Sequence, residues 1–152
     1  MAEQRQISLD HPHGEQPVRT AGTLLAQARV AMVMVHGRGA TAESILTLAP
    51  ALASESVAFL APQAAGGTWY PFGFMSPIER NEPGITSGMR AIGRVLADVA
   101  QAGIAPERTF LLGFSQGACL ATEFAARHAR QNAPRENVLA RASTRRRHAF
   151  VR

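Results

Sequence analysis

Residues 109–118, TFLLGFSQGA, decide the fold of this chain. The apolar run 110–112 predicts a buried strand, and it leads directly into Gly113-Phe114-Ser115-Gln116-Gly117. Residues 118–130, ACLATEFAARHAR, favour a helix with no breaker. A G-x-S-x-G motif between a strand and a helix is typical of a sharp turn that holds a serine exposed, and the flanking glycines let strand and helix pack closely. Ser115 is therefore the first candidate for a nucleophile.

Upstream of this stretch the sequence predicts alternating strands and helices. Apolar runs at 30–35 and 57–61 are typical of strands buried on both faces, and a short edge strand is expected near 18–21. Helical spacing of apolar residues runs from Thr41 to about Ser54, and again from Gly84 or Ile85 to about Gly103. Together with a third strand at 108–113, this order predicts an α/β fold, a three-layer sandwich around a mostly parallel sheet.

Two loops follow the predicted strands at the end where α/β proteins place their sites. His36-Gly37-Arg38-Gly39, with Ala40, forms the first, called here the glycine loop. Residues 62–83 form the second, called here the aromatic loop, which holds the only Trp and the only Tyr of the chain. Loops of this length within a domain are usually functional. Both loops are therefore expected to contribute to a site.

Three motifs, in this order, carry a family resemblance: His36-Gly37-Arg38-Gly39, Trp69-Tyr70-Pro71 and Gly113-Phe114-Ser115-Gln116-Gly117. Over about residues 20–130 the chain resembles the phospholipase/carboxylesterase family of α/β-hydrolases, which is related to the acyl-protein thioesterases. The resemblance implies that Ser115 attacks the carbonyl of a small-molecule ester or thioester. It implies that the backbone N–H groups of Gln116 and Arg38 form the oxyanion hole, and that no metal or cofactor takes part.

Other side chains near these motifs allow two interpretations each. Aromatic and apolar residues of the second loop either line an acyl pocket or pack as a lid: Trp69, Tyr70, Phe72, Phe74 and Met75. His36 is expected to be a hydrogen-bonded histidine at a strand end, because a general base must reach Ser115 from the other side. The Arg38 side chain is expected to be solvated, with the anchoring of an anionic substrate as the alternative. Cys119 is expected to be a buried, inert thiol.

Catalytic partners for Ser115 are not evident in the sequence. This fold places an Asp or Glu and then a His after the nucleophile, whereas here no Asp follows Ser115. Glu123 and His128 lie on the predicted helix roughly 12 and 20 Å from Ser115, at 1.5 Å per residue. Glu136 and His148 occur in a run with no strand and no turn signal. We expect little or no turnover, and the alternative function is a non-catalytic hydrolase fragment that binds acyl compounds or a partner.

The charge pattern changes near the point where the resemblance stops. Residues 1–126 hold 8 Arg and 10 acids, net −2, while residues 127–152 hold 8 Arg and one acid, net +7. The sequence therefore predicts a partial hydrolase domain over 1–130 and an Arg-rich, disordered tail over 131–152. The resemblance and the charge balance change at the same point, and abundant Ala with Arg but no Lys is typical of a GC-rich coding sequence. Our hypothesis is that the tail is an out-of-frame or otherwise aberrant translation that ends the hydrolase early. The alternative is an Arg-rich arm that binds nucleic acid or an acidic partner, although no nucleic-acid partner is expected.

Composition limits the class of protein. At 152 residues with 46% apolar residues, the chain is long enough for one globular domain, and a disordered or fibrous protein is excluded. A single cysteine excludes an internal disulfide. Because no apolar segment has the length of a membrane span or the pattern of a signal peptide, a cytoplasmic protein is expected. An exposed sheet edge beside the last strand predicts self-association.

Overall fold

The apolar run Val30–Val35 forms strand β2 and lies in the interior of the sheet. The computed structural model describes residues 10–132. Its four strands have the order β1-β3-β2-β4, with β1 at Val18–Gly22, β3 at Val57–Pro62 and β4 at Thr109–Gly113. β2 is parallel to both β3 and β4, and only β1 runs antiparallel. The predicted α/β fold with a mostly parallel sheet is confirmed.

Four α-helices accompany these strands in the described residues. Their bounds are α1, Ala42–Leu46; α2, Ala49–Leu52; α3, Gly84–Gln101; and α4, Gln116–Asn132. The prediction of one helix from Thr41 to Ser54 is wrong, because the segment divides into α1 and α2. Pro50 has no N–H and cannot donate to the carbonyl of Leu46, so the helical hydrogen bonds are interrupted there.

Helices cover both faces of the sheet. On one face Val33 and Leu60 pack in a buried cluster with Val95 and Val99 of α3. On the other face Met34 and Phe59 pack in a second cluster with Ile45 of α1. Burying one such side chain contributes roughly 1.5–3 kcal/mol. Successive residues of β2 and β3 thus pack on opposite faces of the sheet, which explains why both strands are apolar throughout. The sheet with helices on both faces gives the predicted three layers.

Strand β4 differs from its neighbours in exposure. It pairs with β2 alone, so its other edge has no strand partner among residues 10–132. Phe110 of β4 is 52% exposed and Phe114, just beyond the strand, is 67% exposed, whereas every residue of β3 is buried. The exposed edge expected beside the last strand is therefore present in the described structure.

The described residues belong to two units that divide between Ala121 and Thr122. The first holds the sheet, the loops and the first turns of α4. The second begins with the remainder of α4. No described helix is both long enough and apolar enough to cross a membrane. The predicted tail, from residue 133 onward, lies outside the described residues.

Candidate active site

Ser115 lies in the turn between β4 and α4, residues 113–117, called here the serine turn. Its φ is +51°, a left-handed conformation that is uncommon for a residue with a side chain. Backbone bonds hold this turn: Phe114 N–H donates to Val35 O at 3.1 Å, and Gly117 N–H donates to Phe114 O at 2.9 Å. Ser115 is exposed. The turn therefore presents the serine hydroxyl outward at the carboxyl end of the sheet, at a cost of order 1–3 kcal/mol in backbone strain.

The two glycines of the serine turn explain how the turn can be so tight. A Cβ on Gly113 would lie 2.4 Å from Gly117 O, and a Cβ on Gly117 would lie 2.2 Å from Val35 O. Contacts this short between a Cβ and backbone atoms do not occur in folded proteins. Only glycine at both positions lets α4 begin directly against the end of β2.

The glycine loop lies beside the serine turn. A Cβ on Gly37 would be 3.4 Å from the Ser115 Cβ, so the two backbones are adjacent there. Among the described residues no protein acceptor receives the N–H of Arg38 or the N–H of Gln116. The Gln116 N–H is in the first turn of α4, where helical N–H groups have no partner within the helix. The two backbone donors without an acceptor in the described residues, Arg38 N–H and Gln116 N–H, thus belong to the glycine loop and the serine turn, which are adjacent at Ser115.

His36 is buried at the end of β2, and both of its ring nitrogens are engaged. Ala64 N–H donates to Nε2 at 3.0 Å, which leaves Nδ1 as the donor to Gly37 O at 2.8 Å. Burial lowers the pKa of His36 and outweighs the opposing bond to Gly37 O. The ring is therefore neutral and holds the loops together, as a hydrogen-bonded histidine at a strand end, and has no free nitrogen for Ser115.

The Arg38 side chain is exposed, as expected for a solvated loop arginine, and it also binds the aromatic loop. Its guanidinium donates from Nη1 to Pro71 O at 2.7 Å and from Nη2 to Phe72 O at 2.8 Å. The Gln116 side chain, which is buried, accepts from Trp69 N–H at 2.9 Å and donates to Tyr70 O at 2.8 Å. Both side chains bind the backbone of the aromatic loop. The planar guanidinium can donate to two adjacent carbonyls at once. No pattern in the sequence indicates these bonds.

Trp69 is fully buried and joins the aromatic loop to the core. Its indole N–H donates to His36 O at 2.8 Å, and its carbonyl accepts from His13 Nε2 at 2.8 Å. His13 is also buried, and Ala65 N–H donates to its Nδ1 at 3.0 Å. Sequence reasoning missed His13, because it lies in an N-terminal segment without periodicity. Because Trp69 is fully buried, it has no surface for a ligand to contact, which favours packing over pocket lining for this residue.

The remaining aromatic-loop residues differ widely in exposure. Tyr70 is buried, and its pKa is raised first by burial and then by the neighbouring Cys119 thiol. Phe72, Phe74 and Met75 are 42%, 72% and 84% exposed. The prediction that Cys119 is buried is wrong, since it is exposed. Cys119 lies one helical turn after Ser115, so the two side chains are on the same exposed side of the chain at the start of α4.

The sequence candidates for a catalytic acid or base that lie in the described residues, Glu123 and His128, have partners of their own on α4. Glu123 pairs with Arg127 at 2.6 Å, and His128 stacks on Phe124 with ring centroids 3.8 Å apart. Glu136 and His148 lie outside the described residues. Within residues 10–132 no group of three or more His, Cys, Asp or Glu residues could hold a metal ion.

A parallel sheet with helices on both faces, and a serine at positive φ in a tight strand-to-helix turn, defines the α/β-hydrolase class of fold. Comparison with solved structures agrees. The chain matches a phospholipase/carboxylesterase from Dyadobacter fermentans at 39% identity and a TM-score of 0.72, over 75% of this chain and 55% of that one. It also matches the fold of an esterase designated PE8, at 24% identity and a TM-score of 0.57, over 72% of this chain and 56% of that one.

The family model described as Phospholipase/Carboxylesterase matches residues 25–134, and the chain belongs to that family. It spans a little over half the length of the two structures that it matches. A search of curated proteins finds no significant match. The resemblance stated from the three motifs is confirmed at the level of the family.

Proposed function

We propose that this chain carries the nucleophile and the oxyanion hole of a serine hydrolase that acts on carboxylic esters or thioesters. The observation that supports this most is the juxtaposition of Ser115, exposed at φ +51°, with two loops whose Arg38 and Gln116 N–H groups have no acceptor among the described residues. Membership of the phospholipase/carboxylesterase family supports the same class of reaction.

In the proposed reaction the Ser115 Oγ attacks the ester carbonyl carbon, and its proton passes to a base. The carbonyl oxygen becomes an oxyanion that accepts hydrogen bonds from the N–H groups of Arg38 and Gln116. Collapse of this intermediate breaks the bond to the alcohol or thiol and leaves an acyl group on Ser115, which water then removes. Losing one donor of such a pair typically costs ~10²- to 10³-fold in rate.

Neither buried histidine of the described residues has a free ring nitrogen to act as this base. Both nitrogens of His36 are engaged, as are both nitrogens of His13. We therefore propose that an efficient reaction requires a base from outside residues 10–132. Without one, catalysis falls to the ~10³- to 10⁴-fold over water that binding and an oxyanion hole retain after loss of a triad member.

We further propose that the substrate lies against the exposed part of the aromatic loop. Phe72 is half-exposed, with its ring 4.4 Å from the Arg80 guanidinium carbon, and its backbone N–H donates to Asn81 at 2.8 Å. The backbone bond and the Arg80 contact keep this half-exposed ring in place, and an aromatic ring suits contact with an apolar acyl or aryl group.

The test is hydrolysis of a short-chain activated aryl ester by the purified chain, beside Ser115→Ala. Ser54→Ala, which alters an exposed serine before β3, is the matched control. We expect slow, saturable hydrolysis that is lost in Ser115→Ala and retained in Ser54→Ala. Equal rates for all three proteins would overturn the proposed function, and binding of the ester without Ser115-dependent release would support the non-catalytic alternative.

A further inference from the structure

Two side chains, those of Arg38 and Gln116, bind the backbone of four consecutive residues of the aromatic loop, Trp69–Phe72, which we call the bridging segment. Gln116 binds the N–H of Trp69 and the carbonyl of Tyr70. Arg38 binds the carbonyls of Pro71 and Phe72. The four hydrogen bonds are 2.7–2.9 Å long. The two residues that bind this segment are the same two whose backbone N–H groups we propose as the oxyanion donors.

The bridging segment is itself bound to other parts of the fold, so it can fix the positions of the Arg38 and Gln116 side chains that bind it. The Trp69 indole donates to His36 O, and the Trp69 carbonyl accepts from His13. At its other end, Asn81, which is buried, accepts from Phe72 N–H at 2.8 Å and donates to Gly73 O at 3.2 Å. The segment is therefore held at both ends by buried residues outside the serine turn and the glycine loop, His13 at Trp69 and Asn81 at Phe72.

The glycine loop needs an external support of this kind. Its residues Gly37, Arg38 and Gly39 belong to no helix or strand, and Gly39 has a φ of +73°. Of its own backbone bonds, Ala40 N–H donates to Gly37 O at 3.2 Å, and Gly39 N–H reaches the aromatic loop at Gly67 O, at 2.8 Å. Because oxyanion donors must be preorganised to be effective, the Arg38 N–H requires a fixed position relative to Gln116.

We propose that the bridging segment sets the separation of the two oxyanion donors, with the Arg38 and Gln116 side chains as its positioning groups. Each of these residues thus has two parts with different tasks: its backbone N–H stabilises the oxyanion, and its side chain fixes where that N–H lies. The inference rests on the proposed function. It adds that the two donors are coupled through Trp69–Phe72.

The experiment follows the reaction of Ser115 with a 4-nitrophenyl alkyl phosphonate. The Ser115 Oγ–P bond forms, the P–O bond to nitrophenolate breaks, and the hydroxyl proton passes to solvent base, so one nitrophenolate is released per site without a need for turnover. Arg38→Met and Gln116→Met remove the positioning groups and keep an unbranched side chain. Arg38→Lys restores a single donor. Arg29→Met, at an exposed arginine before β2, is the matched control.

We expect Arg38→Met to lower the maximal labelling rate by roughly 10- to 100-fold, less than outright loss of a donor, with half-saturation changed by no more than about threefold. Arg38→Lys falls between this variant and the native chain, and Arg29→Met labels at the native rate. A merely structural role would lower the fraction of reactive protein without changing the rate of the reactive part. Circular dichroism of each variant establishes that it is folded.

A second measurement keeps this inference separate from the proposed function. In ¹⁵N–¹H spectra, Arg38→Met is expected to move the Gln116 amide resonance, and Gln116→Met that of Arg38, while Arg29→Met moves neither. Labelling at the native rate in Arg38→Met would overturn the inference and leave the proposed function standing. If the native chain is not labelled, the proposed function fails. Coupled amide shifts would then still support the bridging segment, and independent shifts would overturn it.

Discussion

Substituting Gly117 by alanine tests the tight junction between β2 and α4. The new Cβ would lie 2.2 Å from Val35 O and 2.4 Å from His36 O, where ordinary contacts begin near 3.4 Å. Both oxygens are backbone atoms at the end of an interior strand, so they cannot rotate away as a side chain would. The helix must move by about 1 Å, and we expect a cost of about 3 kcal/mol, the upper end of the usual range for overpacking.

The assay is urea unfolding followed by the fluorescence of Trp69, the only tryptophan, with circular dichroism as a second probe. With a urea m-value of roughly 1–3 kcal/mol/M, 3 kcal/mol corresponds to a fall in the urea midpoint of roughly 1–3 M. Gly73→Ala is the control, because its Cβ would have no atom within 4 Å. Equal unfolding midpoints for Gly117→Ala and Gly73→Ala would refute the argument that close backbone approach requires glycine there.

Three further predictions follow from the described contacts. Burial lowers the pKa values of His13 and His36, so as the pH falls the unfolded chain takes up protons before the folded chain does. The stability that the two neutral histidines contribute is therefore fully present above about pH 6.5 and is lost on acidification below it. A urea midpoint that is the same at pH 7.5 and pH 5 would contradict this. Trp69→Phe leaves the His36 carbonyl without its donor and is expected to cost ~1–3 kcal/mol by thermal unfolding followed by circular dichroism, whereas an unchanged Tm would show that this bond is not needed. Arg19→Ala breaks an exposed ion pair with Glu43 and is expected to leave Tm unchanged at physiological salt; a clear decrease would show that the pair stabilises the fold.

The strands were predictable from the sequence because their signal is local. The run Val30–Val35 is apolar on both faces and has the predicted bounds, and the bounds of the other three strands lie within one residue of the prediction. The division of the helix at Pro50 was also open to local reasoning, since proline cannot donate, but apolar spacing alone missed it. The existence and type of each long element therefore follow from periodicity, and its interruptions follow from single residues.

The side-chain bonds of the site could not be predicted in the same way. Arg38 and Phe72 are 34 positions apart, and His13 and Trp69 are 56 apart, so only the folded chain brings each pair together. The roles of Ser115, Arg38 and Gln116 stay predictions, as do self-association through the β4 edge and the division of the chain at residue 130. Motifs indicate which loops meet, but not which backbone atoms each side chain binds.

The register of β2 against β4 has a consequence for folding kinetics. Val30 pairs with Val57, 27 positions later, but Ala31 pairs with Thr109, 78 positions later. Closing the longer loop carries the larger entropic cost, and folds dominated by distant pairings form slowly. The serine turn is continuous with this distant strand, so we expect Ser115 to reach its strained geometry late in refolding, after the helices and the β2–β3 pair. Ester or phosphonate reactivity should accordingly return more slowly than helical circular dichroism when the chain is diluted from urea.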